Sequence, residues 1–347
     1  MTNQTKLYNM SQVDSFKIAE DRRVFSATHD EILQGYTTDI YFIKTEQILR
    51  SLNLEETLVT AEIFPRKEGI VAGIEESLLL LKARDLEIFA LKEGDEFNSF
   101  ETIMRIKGKY TNFGIFETAL LGILASSSGW ATASHTVRKV LPDKPFTCFG
   151  ARHVHPSVAP VMERAALVGG ADAASCILGA KLAGIEPKGT LPHAIFLIVG
   201  DTLNVAEAYD REMPPDDLRI VLVDTFKDEC EESLCVARSL KEKLHGVRLD
   251  TPGERGGVTP GLIKELRARL DLEGFTNVKI FVSGGLTPDK ITSLSEAGAD
   301  SFGVGSYISG APAIDMTMDL KEVAGKKVAK RGRIPGISDN SRLIKYM

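Results

Sequence analysis

Apolar and polar positions change rhythm twice along the chain. Across residues 14–50, Val24, Ile32, Ile43 and Leu49 recur at helical spacing among charges, with Asp14 or Ser15 able to cap. The TTDIYF stretch, Thr37 to Phe42, interrupts that helical pattern. From Leu58, LVTAEIF alternates and is rich in β-branched residues, which predicts a strand; Pro65 and Gly69 punctuate it, and IVAG predicts a second short strand. IEESLLLLKAR predicts a helix, and GDEFNSFETIMRIKG a strand pair turning at Gly94-Asp95. FETALLGILASSSG predicts a helix whose small residues permit close packing.

After Pro145, short apolar strands alternate with helical stretches. The predicted strands are FTCFGAR, ADAASCI, GTLPHAIFLI, RIVLVDTF, GVRLDT, VKIFVSGG and ADSFGVGS, with helices such as APVMERAALVGG and DECEESLCVARSLKEKLH among them. Strand–helix alternation implies parallel strands with crossover helices. A repeat of about 25–30 residues fits a (β/α) barrel, but about 170 residues is short for eight units. The expected fold is therefore α/β: an irregular (β/α) barrel over residues 146–314, preceded by an N-terminal α+β domain over 1–145. The tail, 315–347, is expected to rejoin that first domain, with KKVAKRGRIPG as a basic strand.

Composition narrows the class. The 347 residues are 43% hydrophobic and 26% charged with a net charge of −6, which excludes disordered and collagen-like chains. The acidic balance makes nucleic acid a poor partner. Cys148, Cys176, Cys230 and Cys235 form no CxxC pair, so neither a disulfide scaffold nor a zinc knuckle is expected. The first ten residues lack the apolar core of a signal peptide, and the longest apolar run, Ala194 to Val199, is far too short to span a membrane. A cytoplasmic protein without membrane or nucleic-acid partners is expected.

Candidate chemistry collects at predicted strand ends. Ser283, Gly284 and Gly285 follow VKIFV; Gly303, Gly305 and Ser306 lie one unit later. Glycine turns let backbone N–H groups approach an anion, and barrels commonly hold a phosphate at their last two strands. Arg152, Asp172, His193, Asp224, Arg248 and Asp250 are the polar residues expected at the other strand ends. Arginines fork onto phosphate or carboxylate, and carboxylates hold Mg²⁺ or ribose hydroxyls. His193 is either a satisfied core histidine or, facing Asp224, a nucleophile or base. His153 and His155 alternate, but an HxH after an arginine falls short of a metal site, so no protein-held metal is expected.

These residues, taken in order from TTDIYF to GVGS, resemble the nicotinate phosphoribosyltransferase family, in the short form of archaea and some bacteria. TDIY is similar to the family's N-terminal motif, which implies that Tyr41 stacks on the pyridine ring with Asp39 in support, both serving a neighbouring subunit's site. FGAR resembles its FxxR segment, implying that Phe149 sandwiches the base and Arg152 contacts the nucleotide; GGADAAS places Asp172 as a base-facing carboxylate. GTLPH resembles GTxAH, with Pro192 where alanine is usual, and implies a His193 phosphorylated by ATP with Asp224 as its partner. RLDTP implies Arg248 and Asp250 on phosphate and ribose, and SGGL with GVGS implies the 5-phosphate cradle.

The implied reaction joins nicotinate to 5-phosphoribosyl 1-pyrophosphate with Mg²⁺, coupled to ATP, in a homodimer or higher even oligomer. Some short-form relatives carry a cysteine-rich zinc extension, and without a CxxC no zinc is expected here. Quinolinate, with its second carboxylate, needs more cations than Tyr41, Phe149, Arg152 and Asp172 offer, whereas Asp172 suits an amide. The alternatives are thus a quinolinate or nicotinamide phosphoribosyltransferase, or a silent nucleotide-binding paralogue.

Overall fold

A computed structural model describes residues 7–18, 22–23 and 25–347, so Val24 of the predicted first helix lies outside the described residues. The chain divides into two compact units, Met1–Thr132 with Pro312–Met347, and Ala133–Ala311. The first unit opens with strands β1 (Leu58–Pro65), β2 (Gly69–Ile70), β3 (Leu86–Ala90), β4 (Glu96–Phe97) and β5 (Met104–Lys109). The second holds β6 (Phe146–Cys148), β7 (Ala173–Ala174), β8 (Ile220–Leu222), β9 (Gly246–Leu249), β10 (Lys279–Val282) and β11 (Ser301–Val304). The chain then returns with β12 (Met316–Val323), β13 (Lys326–Lys327) and β14 (Ile344–Lys345).

In the first unit an antiparallel sheet runs β13-β12-β1-β5-β3-β14. Central β1 is buried from Val59 to Pro65, and Ile63, Ile88, Met104, Ile106, Phe113 and Phe116 form the core against it. Several elements differ from expectation. In place of one helical stretch over 14–50 there are separate helices Met10–Ser15, His29–Leu33 and Ile40–Ser51, and TTDIYF leads into the last of these with Asp39 at its N-cap. GDEFNSFETIMRIKG does not pair with itself: β4 pairs with β2, and β5 lies between β1 and β3. The strand that rejoins β1 is β12, upstream of KKVAKRGRIPG, of which only Lys326–Lys327 is extended. The helix beginning FETALL runs from Glu117 to Val140, through Gly129. There glycine is a packing residue rather than a stop, since a Cβ would stand 2.4 Å from the Pro312 carbonyl oxygen.

The second unit is a parallel sheet ordered β7-β6-β11-β10-β9-β8, with helices such as Ala159–Val168, Glu229–Leu240, Pro260–Leu272 and Pro288–Glu296 in the connections. This is an α/β fold with an N-terminal domain, and the barrel is left open between β7 and β8. The opening falls where GTLPHAIFLI was expected to be a strand; that segment is instead the helix His193–Val199. A short apolar run does not distinguish strand from helix by periodicity. Here Pro192 at the N-cap withholds a ladder donor, and Gly200 (φ +81°) ends the helix about two turns later. Phe196 alone of this helix is buried, contributing about 1.5–3 kcal/mol.

Candidate functional site

Because the six strands are parallel, their C-terminal ends share one edge of the sheet. Phe149 and Arg152 follow β6, Asp224 follows β8, Asp250 follows β9, Ser283 to Gly285 follow β10, and Gly305 and Ser306 follow β11. Arg248 lies within β9 and Gly303 within β11. His193 joins them from the first position of its helix rather than from a strand end.

The polar centre is a chain of side chains. His193 Nε2 lies 3.1 and 3.2 Å from the two Asp224 carboxylate oxygens, and its Nδ1 lies 4.0 Å from Asp250 Oδ2. An ionised carboxylate only accepts, so Nε2–H donates and Nδ1 is the ring nitrogen on the side of Asp250. The Asp224 side chain is 1% exposed, and burial raises its pKa, opposed by the imidazole. Arg248 donates from Nε to Ser283 Oγ (2.9 Å), from Nη1 to Thr190 Oγ1 (2.7 Å) and from Nη2 to Asp250 Oδ2 (3.5 Å). Ser283 Oγ in turn donates to Asp250 Oδ1 at 2.7 Å. Burial lowers the pKa of Arg248, partly countered by Asp250 and Asp224, while the like charge of Arg152 lowers it further.

An apolar wall stands beside this centre. The Arg248 guanidinium sits 5.2 Å over the Phe149 ring, which lies 5.9 Å from the Phe281 ring. A Cβ on Gly303 would come 2.4 Å from Phe149 Cε2, so glycine at this strand position leaves room for the ring. Gly284 (φ +94°) and Gly285 (φ +57°) form the left-handed turn after β10, and a Cβ on Gly284 would stand 3.0 Å from Asp250 Oδ1. Gly305 packs against His153 and the Phe149 carbonyl.

Asp172 is not at this edge. It precedes β7, at the N-terminal ends of the strands, where it pairs with Arg138 and accepts from the Phe146 N–H at 2.8 Å. A residue beginning a parallel strand lies a strand's length from residues ending it, so the base-facing placement expected for Asp172 is corrected. Asp39 and Tyr41 belong to the first unit. There Asp39 accepts from Thr118 Oγ1 at 3.2 Å, and Tyr41 is 54% exposed.

Two residues that sequence reasoning passed over support the site. Fully buried Glu163 accepts from Ala151 N–H (3.3 Å), Ser175 Oγ (3.0 Å) and Cys176 N–H (2.6 Å), and so ties together the turns after β6 and β7. An acid inside the apolar repeat APVMERAALV was its only signal. Thr190, within GTLPH, binds Arg248, and nothing in its sequence context marks the contact.

Comparison with known proteins adds the following. The family described as "Quinolinate phosphoribosyl transferase, N-terminal domain" matches residues 39–128, and its "C-terminal domain" counterpart matches residues 130–319. The chain is similar to the crystal structure of a nicotinate-nucleotide pyrophosphorylase from Pyrococcus furiosus: 41% identity, TM-score 0.87, covering 91% of this chain and 82% of that one. It is 22% identical over 269 residues to a probable carboxylating nicotinate-nucleotide pyrophosphorylase of Methanothermobacter thermautotrophicus, 76% of this chain and 89% of the relative. It is 30% identical over 225 residues to a nicotinate phosphoribosyltransferase of Bacillus subtilis, 63% of this chain and 45% of the relative. The chain thus spans about half the length of the curated nicotinate phosphoribosyltransferases it matches.

These findings overturn the expected membership. Both matching families are those of the quinolinate enzymes, and the 41%-identical structure is a nicotinate-nucleotide pyrophosphorylase. The nicotinate phosphoribosyltransferase assignment, its ligase-like ATP coupling and the phosphorylated His193 are withdrawn with it.

Proposed function

The chain belongs to the quinolinate phosphoribosyl transferase family, and from that premise we propose that it transfers the phosphoribosyl group of 5-phosphoribosyl 1-pyrophosphate to quinolinate. The products are nicotinate mononucleotide, pyrophosphate and carbon dioxide. The observation that carries this reading is the pair of family matches over 39–319, joined to a strand-end site with an arginine-held acid–histidine chain and two glycine turns. The position of Asp172 takes a carboxylate away from the base side, which by sequence looks short of cations for a dicarboxylate. With that carboxylate at the far ends of the strands, Arg152 and His153 dominate the turn after β6.

Displacement at C1 passes through a loose, cationic centre, so catalysis is mostly positioning and electrostatics. In this reading Phe149 supports the pyridine ring and Arg152 draws its carboxylates. The turns Ser283–Gly285 and Gly303–Ser306 receive the 5-phosphate, with Arg248 beside them, and Asp250 receives a ribose hydroxyl. His193 Nδ1 faces the departing pyrophosphate while Asp224 fixes the ring through Nε2. When the ring nitrogen of the base bonds to C1, its positive charge stabilises the electron pair left on C2 as carbon dioxide leaves, and a solvent proton bonds to that pair to complete the product.

Among the described residues no three His, Cys, Asp or Glu side chains cluster as a metal cage. Mg²⁺ in such reactions is commonly held by one or two carboxylates and by substrate phosphates. Asp250, whose side chain is partly exposed, is the hard oxygen donor at this edge, and Mg²⁺ held there with substrate phosphates would neutralise charge on the leaving group. A homodimer sharing its sites is part of the same reading: Ile40, Tyr41, Ile48 and Leu52 are all exposed along one side of the helix Ile40–Ser51.

The test is an assay with purified protein, 5-phosphoribosyl 1-pyrophosphate and Mg²⁺, offering quinolinate, nicotinate or nicotinamide in turn. Equal release of pyrophosphate and of carbon dioxide from carboxyl-labelled quinolinate is expected. Turnover with nicotinate or nicotinamide but not quinolinate would overturn the reading.

A further inference from the structure

We propose that Thr190 is a positioning residue: its hydroxyl fixes the Arg248 guanidinium and thereby couples the loop before His193 to the phosphate-binding edge. The inference rests on the phosphoribosyl-transfer reading for its substrate, and on geometry for its residue.

Arg248 is gripped from two directions. Ser283 and Asp250 hold Nε and Nη2 from the ends of β10 and β9, within the sheet. Nη1 reaches out of the sheet to Thr190 Oγ1 at 2.7 Å, on the segment that enters the His193–Val199 helix. That helix lies in the connection from β7 to β8, has no strand ladder to hold it, and buries Phe196 alone while Leu197 and Ile198 are 64% and 83% exposed. Its register therefore depends on polar ties at its start: His193 to Asp224, and Thr190 to Arg248. The guanidinium is 13% exposed, so a lost partner is not readily replaced by water.

With three N–H groups committed to Ser283, Thr190 and Asp250, one N–H remains on each Nη atom. Those two remain open to an anionic oxygen, and Thr190 fixes the plane in which they point. Removing the hydroxyl frees the plane to rotate about Nε and releases the loop, so anion binding weakens more than turnover of bound substrate.

The experiment compares wild type with Thr190→Val, which keeps the shape without the oxygen, and Thr190→Ser, which keeps the oxygen. KM and kcat are read with quinolinate and 5-phosphoribosyl 1-pyrophosphate, and binding of the latter alone is read by calorimetry, with thermal unfolding alongside. Expected for Thr190→Val are a ~10-fold rise in KM and Kd for phosphoribosyl pyrophosphate, a kcat within ~3-fold, and an unchanged KM for the base. Thr190→Ser should return to within ~2-fold of wild type. Wild-type KM and Kd in Thr190→Val, or equal impairment of Val and Ser, would overturn the proposal. Should Thr190→Val not fold, Thr190→Ala carries the same comparison. A wild type that binds phosphoribosyl pyrophosphate but does not use quinolinate removes the base assignment, while the binding arm still decides Thr190. A wild type that does not bind it overturns both.

Discussion

His193 Nε2 and the buried Asp224 carboxylate meet at 3.1 Å, although one begins a helix and the other ends a strand. The contact fixes the tautomer, because the carboxylate accepts only from an Nε2–H. Asp224→Asn keeps the shape but can present its amide N–H₂ to Nε2 and reverse the tautomer. A fall in kcat/KM of order 10² with little change in thermal stability is expected, checked by steady-state pyrophosphate release and calorimetric unfolding.

Gly303 gives way to the Phe149 ring. A methyl group there would overlap Phe149 Cε2 at 2.4 Å, and Phe281 and Arg248 also pack against that ring. Gly303→Ala should displace Phe149, destabilise the second unit by about 1–3 kcal/mol, and raise KM for the base at least several-fold. Wild-type kinetics in Gly303→Ala would remove Phe149 from the base site.

Glu163 buries a carboxylate with three donors around it. Glu163→Gln turns one acceptor oxygen into a donor facing another donor, which costs about 1–3 kcal/mol. Denaturant unfolding should show that loss, and Arg152 on the adjoining turn should lose its placement, raising KM for the base.

Asp172 separates stability from base choice. Its partners are Arg138 and the Phe146 N–H, both at the far ends of the strands. Asp172→Ala should lower stability by about 1–2 kcal/mol and leave the preference among quinolinate, nicotinate and nicotinamide unchanged. A change in preference would put Asp172 back at the base.

In the first unit, burial of Glu117, with Asp319 adding repulsion, raises its pKa to about 7. A carboxyl whose folded pKa lies above its unfolded one binds its proton more tightly when folded. Its favourable contribution is therefore complete below about pH 4.5 and is lost as the pH rises through about 7. Glu117→Gln should leave stability unchanged near pH 4 and raise it at pH 8, on the order of 2 kcal/mol, as read from denaturant midpoints at the two pH values.

Much of this protein is written in local pattern. Alternation of apolar strands with amphipathic helices after Pro145 determines a parallel α/β unit, because only crossover helices can connect parallel strands. Glycine after a strand marks a turn, so Ser283–Gly285 and Gly305–Ser306 could be placed at the edge of the sheet from sequence alone, whereas Gly303 belongs to β11 itself. Other features depend on which segments meet. AIFLIV suits a strand or a helix equally, and in the folded chain it is a helix outside the strand order of the sheet. Asp172 and Asp224 both adjoin apolar strands, but one precedes its strand and the other follows, which puts them on opposite edges. The grip of Thr190 on Arg248 spans 58 residues, and no spacing rule reaches that far. Pattern is set by each residue's own preference for water or core; contact is set by the path of the whole chain, and only the tertiary structure contains that path.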